Sequence, residues 1–144
     1  MKAIAFLRQV RQLDEQIRQL DIEIAALREV YGSLRSPWPD GLPHGSGAQS
    51  PVEREAVKVA DQIQELLTKQ IRLRGKMYLK RAEIVETIGK IPDSQIQKIL
   101  HAKYIERRYN KTIAKEMSYS EEHISRLHKR GLLMIEEVLN GKQA

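Results

Sequence analysis

The sequence predicts an all-α chain, with long helices in a hairpin or coiled coil over residues 1–89 and a helix-turn-helix domain over residues 90–144. Three observations lead there. Aromatic side chains are few, one Trp, one Phe and five Tyr in 144 residues, and β-branched runs are absent, so strands have little to be built from. Apolar residues recur at heptad or helical spacing over long stretches. Pro and Gly are concentrated in one segment instead of marking turns throughout the chain.

Residues 2–31 carry the first long helix. Ala3, Phe6, Val10, Leu13, Ile17, Leu20, Ile24, Leu27 and Tyr31 alternate steps of three and four, with Arg, Gln, Glu and Asp between them. So narrow a stripe is a coiled-coil seam, and it needs a partner: the next long helix or a second copy of the chain. Gly32 is expected to end it. Four prolines and three glycines within residues 35–51 exclude regular structure there, and the loop is placed at 32–50. Its plain reading is a connector. Trp38, the only tryptophan, points instead to docking or a contact surface.

Ser50 and Pro51 suit the N-cap and first turn of a helix running to Gly89. Its stripe is Ala56, Val59, Ile63, Leu66, Leu73, Met77, Ile84 and Ile88, with Leu67 and Ile71 beside it, a polar break at Gln70 and a weak point at Gly75. Between Leu66 and Ala82 there are bases but no acids. Lys69, Arg72, Lys76 and Lys80 can share one face, either as a solvated surface or as possible contacts to a nucleic-acid backbone. Next, Ile91-Pro92-Asp93-Ser94 resets the chain and caps a third helix to about Tyr104, with Ile96, Ile99 and Leu100 inward.

Residues 110–129 read as two short helices around a three-residue corner. Ile113, Met117, Ile124 and Leu127 close the two over a shared core, and Ala114 lies at their closest approach. Ser120 followed by Glu121 and Glu122 is a helix start: a hydroxyl cap, then acids against the positive end of the dipole. The second helix continues through Leu132, Leu133, Ile135, Val138 and Leu139, with Gly131 marking a close approach or a bend.

The formal charge is +6 with a pI near 9.6. The excess grows along the chain, from zero over residues 1–50 to +2 over 51–89 and +4 over 90–144. That distribution favours a polyanionic partner at the C-terminal end. A helix placed this way can enter the major groove of double-stranded DNA. There Arg126 would grip a guanine, Glu122 would accept from a cytosine amino group, and Ser125 would serve either kind of base. Lys111, Thr112, Lys129 and Arg130 would hold phosphates. Ser120, at the head of the helix, belongs to the same DNA-facing set. For Glu121 the helix dipole is sufficient explanation.

Other functions find little support. The absence of cysteine excludes disulfides and thiol chemistry. His123 and His128 are five apart and point to different faces of a helix, His44 lies in the loop, and no Gly-rich phosphate loop or nucleophile constellation occurs. The expectation is a non-enzyme without cofactor or metal. No apolar run approaches the roughly 18 residues of a membrane span, and the start turns charged too soon for a signal peptide. A soluble, cytoplasmic protein without membrane contact follows.

The motifs also carry a resemblance. Ile91-Pro92, Ile99-Leu100-x-x-Lys103-Tyr104, Ile113-Ala114-x-x-Met117-Ser118-Tyr119-Ser120 and Ile124-x-x-Leu127 resemble the promoter-reading region four of bacterial sigma factors. Residues 119–128 and 42–47 resemble small sigma-region-four-like regulators of the RinA and ArpU type, from phages and prophages of Gram-positive bacteria. The resemblance implies regulation of late phage genes in a bacterial host, host RNA polymerase as a further partner, and a contact role for 42–47. There are departures from the pattern: Ser118 stands where glycine is usual, Asn110 replaces a Trp or Leu, and nothing matches a promoter-melting region. Homo-oligomerisation through the long helices is expected. A small terminase-like subunit, which recognises DNA for packaging, is the alternative function.

Overall fold

A computed structural model describes residues 1–35 and 50–141. Among them are six α-helices and one π-helical turn: α1 (Lys2–Leu7), α2 (Gln9–Arg35), α3 (Pro51–Gly89), α4 (Ser94–Leu100), the π-turn (His101–Ile105), α5 (Asn110–Met117) and α6 (Glu121–Leu139). The chain is all-α, as its spacing predicts. Trp38 and the segment 42–47 lie outside the described residues. No described helix is long and apolar enough to cross a membrane.

Two compact units form, one of residues 1–15 with the chain from 75 onward, the other of residues 16–74. The ends of the long helices therefore belong to the same unit as the C-terminal helices.

In the 16–74 unit, α2 pairs with α3 of its own chain, one of the two partners the heptad left open. Ile17, Leu20 and Ile24 are buried, as is Ala56 on α3. Gln70, which interrupts the α3 stripe, is only 6% exposed. Its side-chain amide donates to the Ile17 carbonyl at 3.3 Å and to the Asp21 carboxylate. The polar break is thus a hydrogen bond inside the seam, of the kind that fixes one register between paired helices. Ser50 and Glu53 cap α3 reciprocally: the Glu53 amide donates to Ser50 Oγ (3.1 Å) and the Ser50 amide to the Glu53 carboxylate (3.3 Å).

The other unit has one apolar core, built from Ala3, Leu7 and Val10, Ile84 and Ile88, Ile91, Ile96, Ile99 and Leu100, and Ile113, Ile124, Leu132 and Ile135. Three expectations need correction here. The first helix is two, broken at Arg8, so Leu7 fills the core position predicted for Phe6. Gly32 does not end α2, which continues to Arg35; a helix tolerates an exposed glycine at a cost of about 1 kcal/mol. The third helix stops at Leu100 and loosens into the π-turn, where the Glu106 amide reaches back five residues to the His101 carbonyl (3.0 Å).

Gly131 has a physical reason. A Cβ there would lie 2.8 Å from Ile96 Cγ2 and 3.1 Å from Leu100 Cδ1, so α4 and α6 can touch only because residue 131 has no side chain. At the far end of the core, the Ala3 amide donates to the Glu136 carboxylate at 2.8 Å, which satisfies one free amide at the start of α1.

Candidate nucleic-acid interface

The corner between α5 and α6 is set by Ser118, whose backbone is left-handed (φ 59°, ψ 40°). The Tyr119 amide returns to the Ala114 carbonyl at 2.9 Å and the Ser118 amide to Lys115 at 3.4 Å. This is the six-to-one and five-to-two pattern that closes helix C-termini, with serine where glycine is favoured. The chain then re-enters a helix at Ser120, whose hydroxyl accepts from the His123 amide at 3.1 Å. Ser120 is exposed, but its oxygen is already engaged as the cap.

Alternation then divides α6 into two faces. Ile124, Leu127, Gly131, Leu132 and Ile135 are buried. Glu122, Arg126, Lys129, Arg130 and Leu133 are exposed, on the opposite side by helical spacing. Ser125 lies at the boundary, half-buried. On α5, Ile113 and Ala114 are buried while Lys111 and Thr112 at its head are exposed. None of the side chains of Arg126, Lys129, Arg130, Lys111 and Glu122 makes a hydrogen bond or ion pair with another described residue. These groups are available to an external partner.

The α3 bases present a different picture. Lys69 and Arg72 are exposed in the 16–74 unit, and Lys76 is exposed in the other. Lys80 is half-buried and paired with Glu83 at 2.7 Å, so it is the least free of the four.

No family model matches the chain, and no curated protein or solved structure matches it. Its chemistry is read from its own residues.

Sequence reasoning missed what lies beside α5 and α6. A cavity of about 510 Å³ is lined by Arg8 and Arg11 of the N-terminal helices, by Lys103, Tyr104, Arg107 and Arg108, and by His128. The Tyr104 hydroxyl and His128 Nε2 are 2.6 Å apart. Burial, then the charges of Lys103 and Arg8, hold His128 down at about 4 from its usual 6.5. Burial raises the Tyr104 phenol, with Arg8 opposing. The pair shares one hydrogen bond whose direction follows the tautomer of the imidazole. Burial and then Arg8 lower Lys103. Only tertiary packing brings these positions together, and no spacing in the sequence connects residue 8 with residue 103.

Proposed function

We propose that the chain is a sequence-specific DNA-binding regulator of transcription that lays the first turns of α6 in the major groove of a promoter element. One observation carries the reading. The outer face of α6 offers Arg126, Lys129 and Arg130 without internal partners, on a helix whose opposite face is locked into the core. A rigid helix with unpaired donors suits direct readout of base edges. Arg126 addresses a guanine, Glu122 and Ser125 address neighbouring bases, and Lys129, Arg130, Lys111 and Thr112 hold phosphates on either side.

The resemblance of residues 119–128 extends the proposal to late genes of a phage or prophage, read in the bacterial cytoplasm together with host RNA polymerase. Self-association through the long helices belongs to it as well. Although the seam within the 16–74 unit is filled, Ile22 and Ile71 remain 64% and 70% exposed, more apolar surface than a lone helix pair needs.

Selection of bound duplexes from a random pool, followed by sizing of the complex, tests the reading. One enriched motif bound by a small assembly is the expected result. A pool without enrichment overturns it, and a ring-shaped assembly would move the function to recognition of packaging sites.

A further inference from the structure

The cavity beside α5 holds an imbalance of charge that the base-reading face does not use. Five of its lining residues are basic and none is acidic. Three of the five have carboxylate partners at their outer ends: Arg11 with Glu15 at 3.2 Å, Arg107 with Asp14, and Arg108 with Glu116. Two do not. The Arg8 side chain makes no hydrogen bond or ion pair with another described residue, and the Lys103 ammonium bonds only to the neutral Asn110 side chain, at 3.2 Å. Two cations without counterions, converging on a partly enclosed space, repel each other unless an anion lies between them.

The backbone concentrates this charge. The π-turn carries Lys103 and Tyr104, and Arg107 adopts a left-handed conformation (φ 60°) that directs the chain into Arg108 and Tyr109. Non-glycine residues hold such a conformation only where their surroundings enforce it. Tyr109 and Asn110 at the start of α5 also line the cavity, and no side chain caps that helix. Its positive end therefore adds to the field of the two cations. Tyr109 is 82% exposed, an aromatic face at the rim on which a flat ring can stack.

We propose that this cavity binds the phosphate group of a phosphate ester, with Arg8 and Lys103 as its two cationic ligands and Asn110 at its edge. Its volume lies within the roughly 300–1,000 Å³ of small-molecule sites. The phosphate has two available sources, a free ester such as a nucleotide or the backbone of bound DNA. Neither depends on Arg126 reading a base.

The full chain is titrated with pyrophosphate, with adenosine monophosphate and with a duplex of random sequence. The backbone amide resonances of residues 109–112 are followed at constant ionic strength. The same titrations are run on Arg8→Gln, an exposed substitution, and on Lys103→Gln, which keeps most of the buried stem; circular dichroism confirms the fold of each. A free ester as ligand gives saturable shifts with pyrophosphate or adenosine monophosphate that weaken tenfold or more in both variants. A DNA phosphate as ligand gives no saturation with the small probes. Arg8→Gln then weakens every duplex alike and lowers the slope of log affinity against log salt by about one. Small-probe binding that neither variant weakens, together with duplex binding that neither variant changes, overturns the proposal.

Discussion

The Tyr104 hydroxyl lies 2.6 Å from His128 Nε2, and this bond ties the π-turn to the middle of α6. It joins the helix ahead of the helix-turn-helix to the helix proposed to read DNA. Burial, with the nearby charges of Lys103 and Arg8, disfavours the protonated imidazole at this site.

Stability should therefore depend on pH through His128. Its folded value is about 4, below the usual 6.5, so the unfolded chain binds the proton more readily. The stabilisation is fully present above about pH 6.5 and is lost as the pH falls through 6.5 toward 4. Urea midpoints of the wild type should drop more between roughly pH 7 and pH 4.5 than those of His128→Gln, which has no imidazole to titrate. Parallel curves for the two proteins would remove His128 from the account.

Ser118 should be a site of easy stabilisation. A serine at φ 59° has its Cβ close to the following carbonyl, a strain of about 1–2 kcal/mol. Glycine removes the strain and returns part of the gain as entropy of the unfolded chain. Ser118→Gly is expected to stabilise by about 0.5–1 kcal/mol, and Ser118→Val to destabilise by more than that. Thermal melts of the three proteins rank them directly, and a valine variant as stable as wild type would contradict the left-handed corner.

Two glycines on long helices should respond in opposite ways. At Gly131 a methyl meets Ile96 and Leu100 at 2.8–3.2 Å, so Gly131→Ala must push α4 from α6 at a cost of about 1–3 kcal/mol, more than its helical preference returns. At Gly75 nothing lies within 4 Å of the same atom, and Gly75→Ala should stabilise by about 0.5–1 kcal/mol. Unfolding midpoints that move in the same direction for both would show that packing does not distinguish them.

The sequence made some of these features legible and hid others, for reasons that differ by residue. The two faces of α6 follow from periodicity, so Ile124 and Leu127 could be placed inside and Arg126 and Lys129 outside without coordinates. The caps at Ser50, Asp93 and Ser120 are local chemistry, and each accepts backbone amides as its type suggests. Gln70 was visible as an interruption but not as a bond, because its acceptors, the Ile17 carbonyl and Asp21, lie on another helix. Leu7 displaced Phe6 because a one-residue break at Arg8 carries no Pro or Gly to announce it. The basic cavity was hidden most completely. It needs the N-terminal helices, the π-turn and α6 in place at once, and local spacing encodes none of those contacts.

Base reading and phosphate holding should separate cleanly on α6. Arg126 and Lys129 are both exposed and unpaired, so truncating either leaves the core untouched, and circular dichroism should not change. A bidentate contact to guanine contributes about 1–3 kcal/mol of discrimination. Arg126→Ala should therefore lose roughly that much on the selected site and flatten the preference at one base pair, with little change on unrelated DNA. Lys129→Ala should weaken selected and unrelated duplexes by the same factor and reduce the salt slope by about one. Binding of both variants to a panel of single-base changes in the selected site makes the comparison. If Arg126→Ala and Lys129→Ala weaken every sequence equally, Arg126 is a phosphate ligand like its neighbour, and base recognition must lie with Glu122 and Ser125.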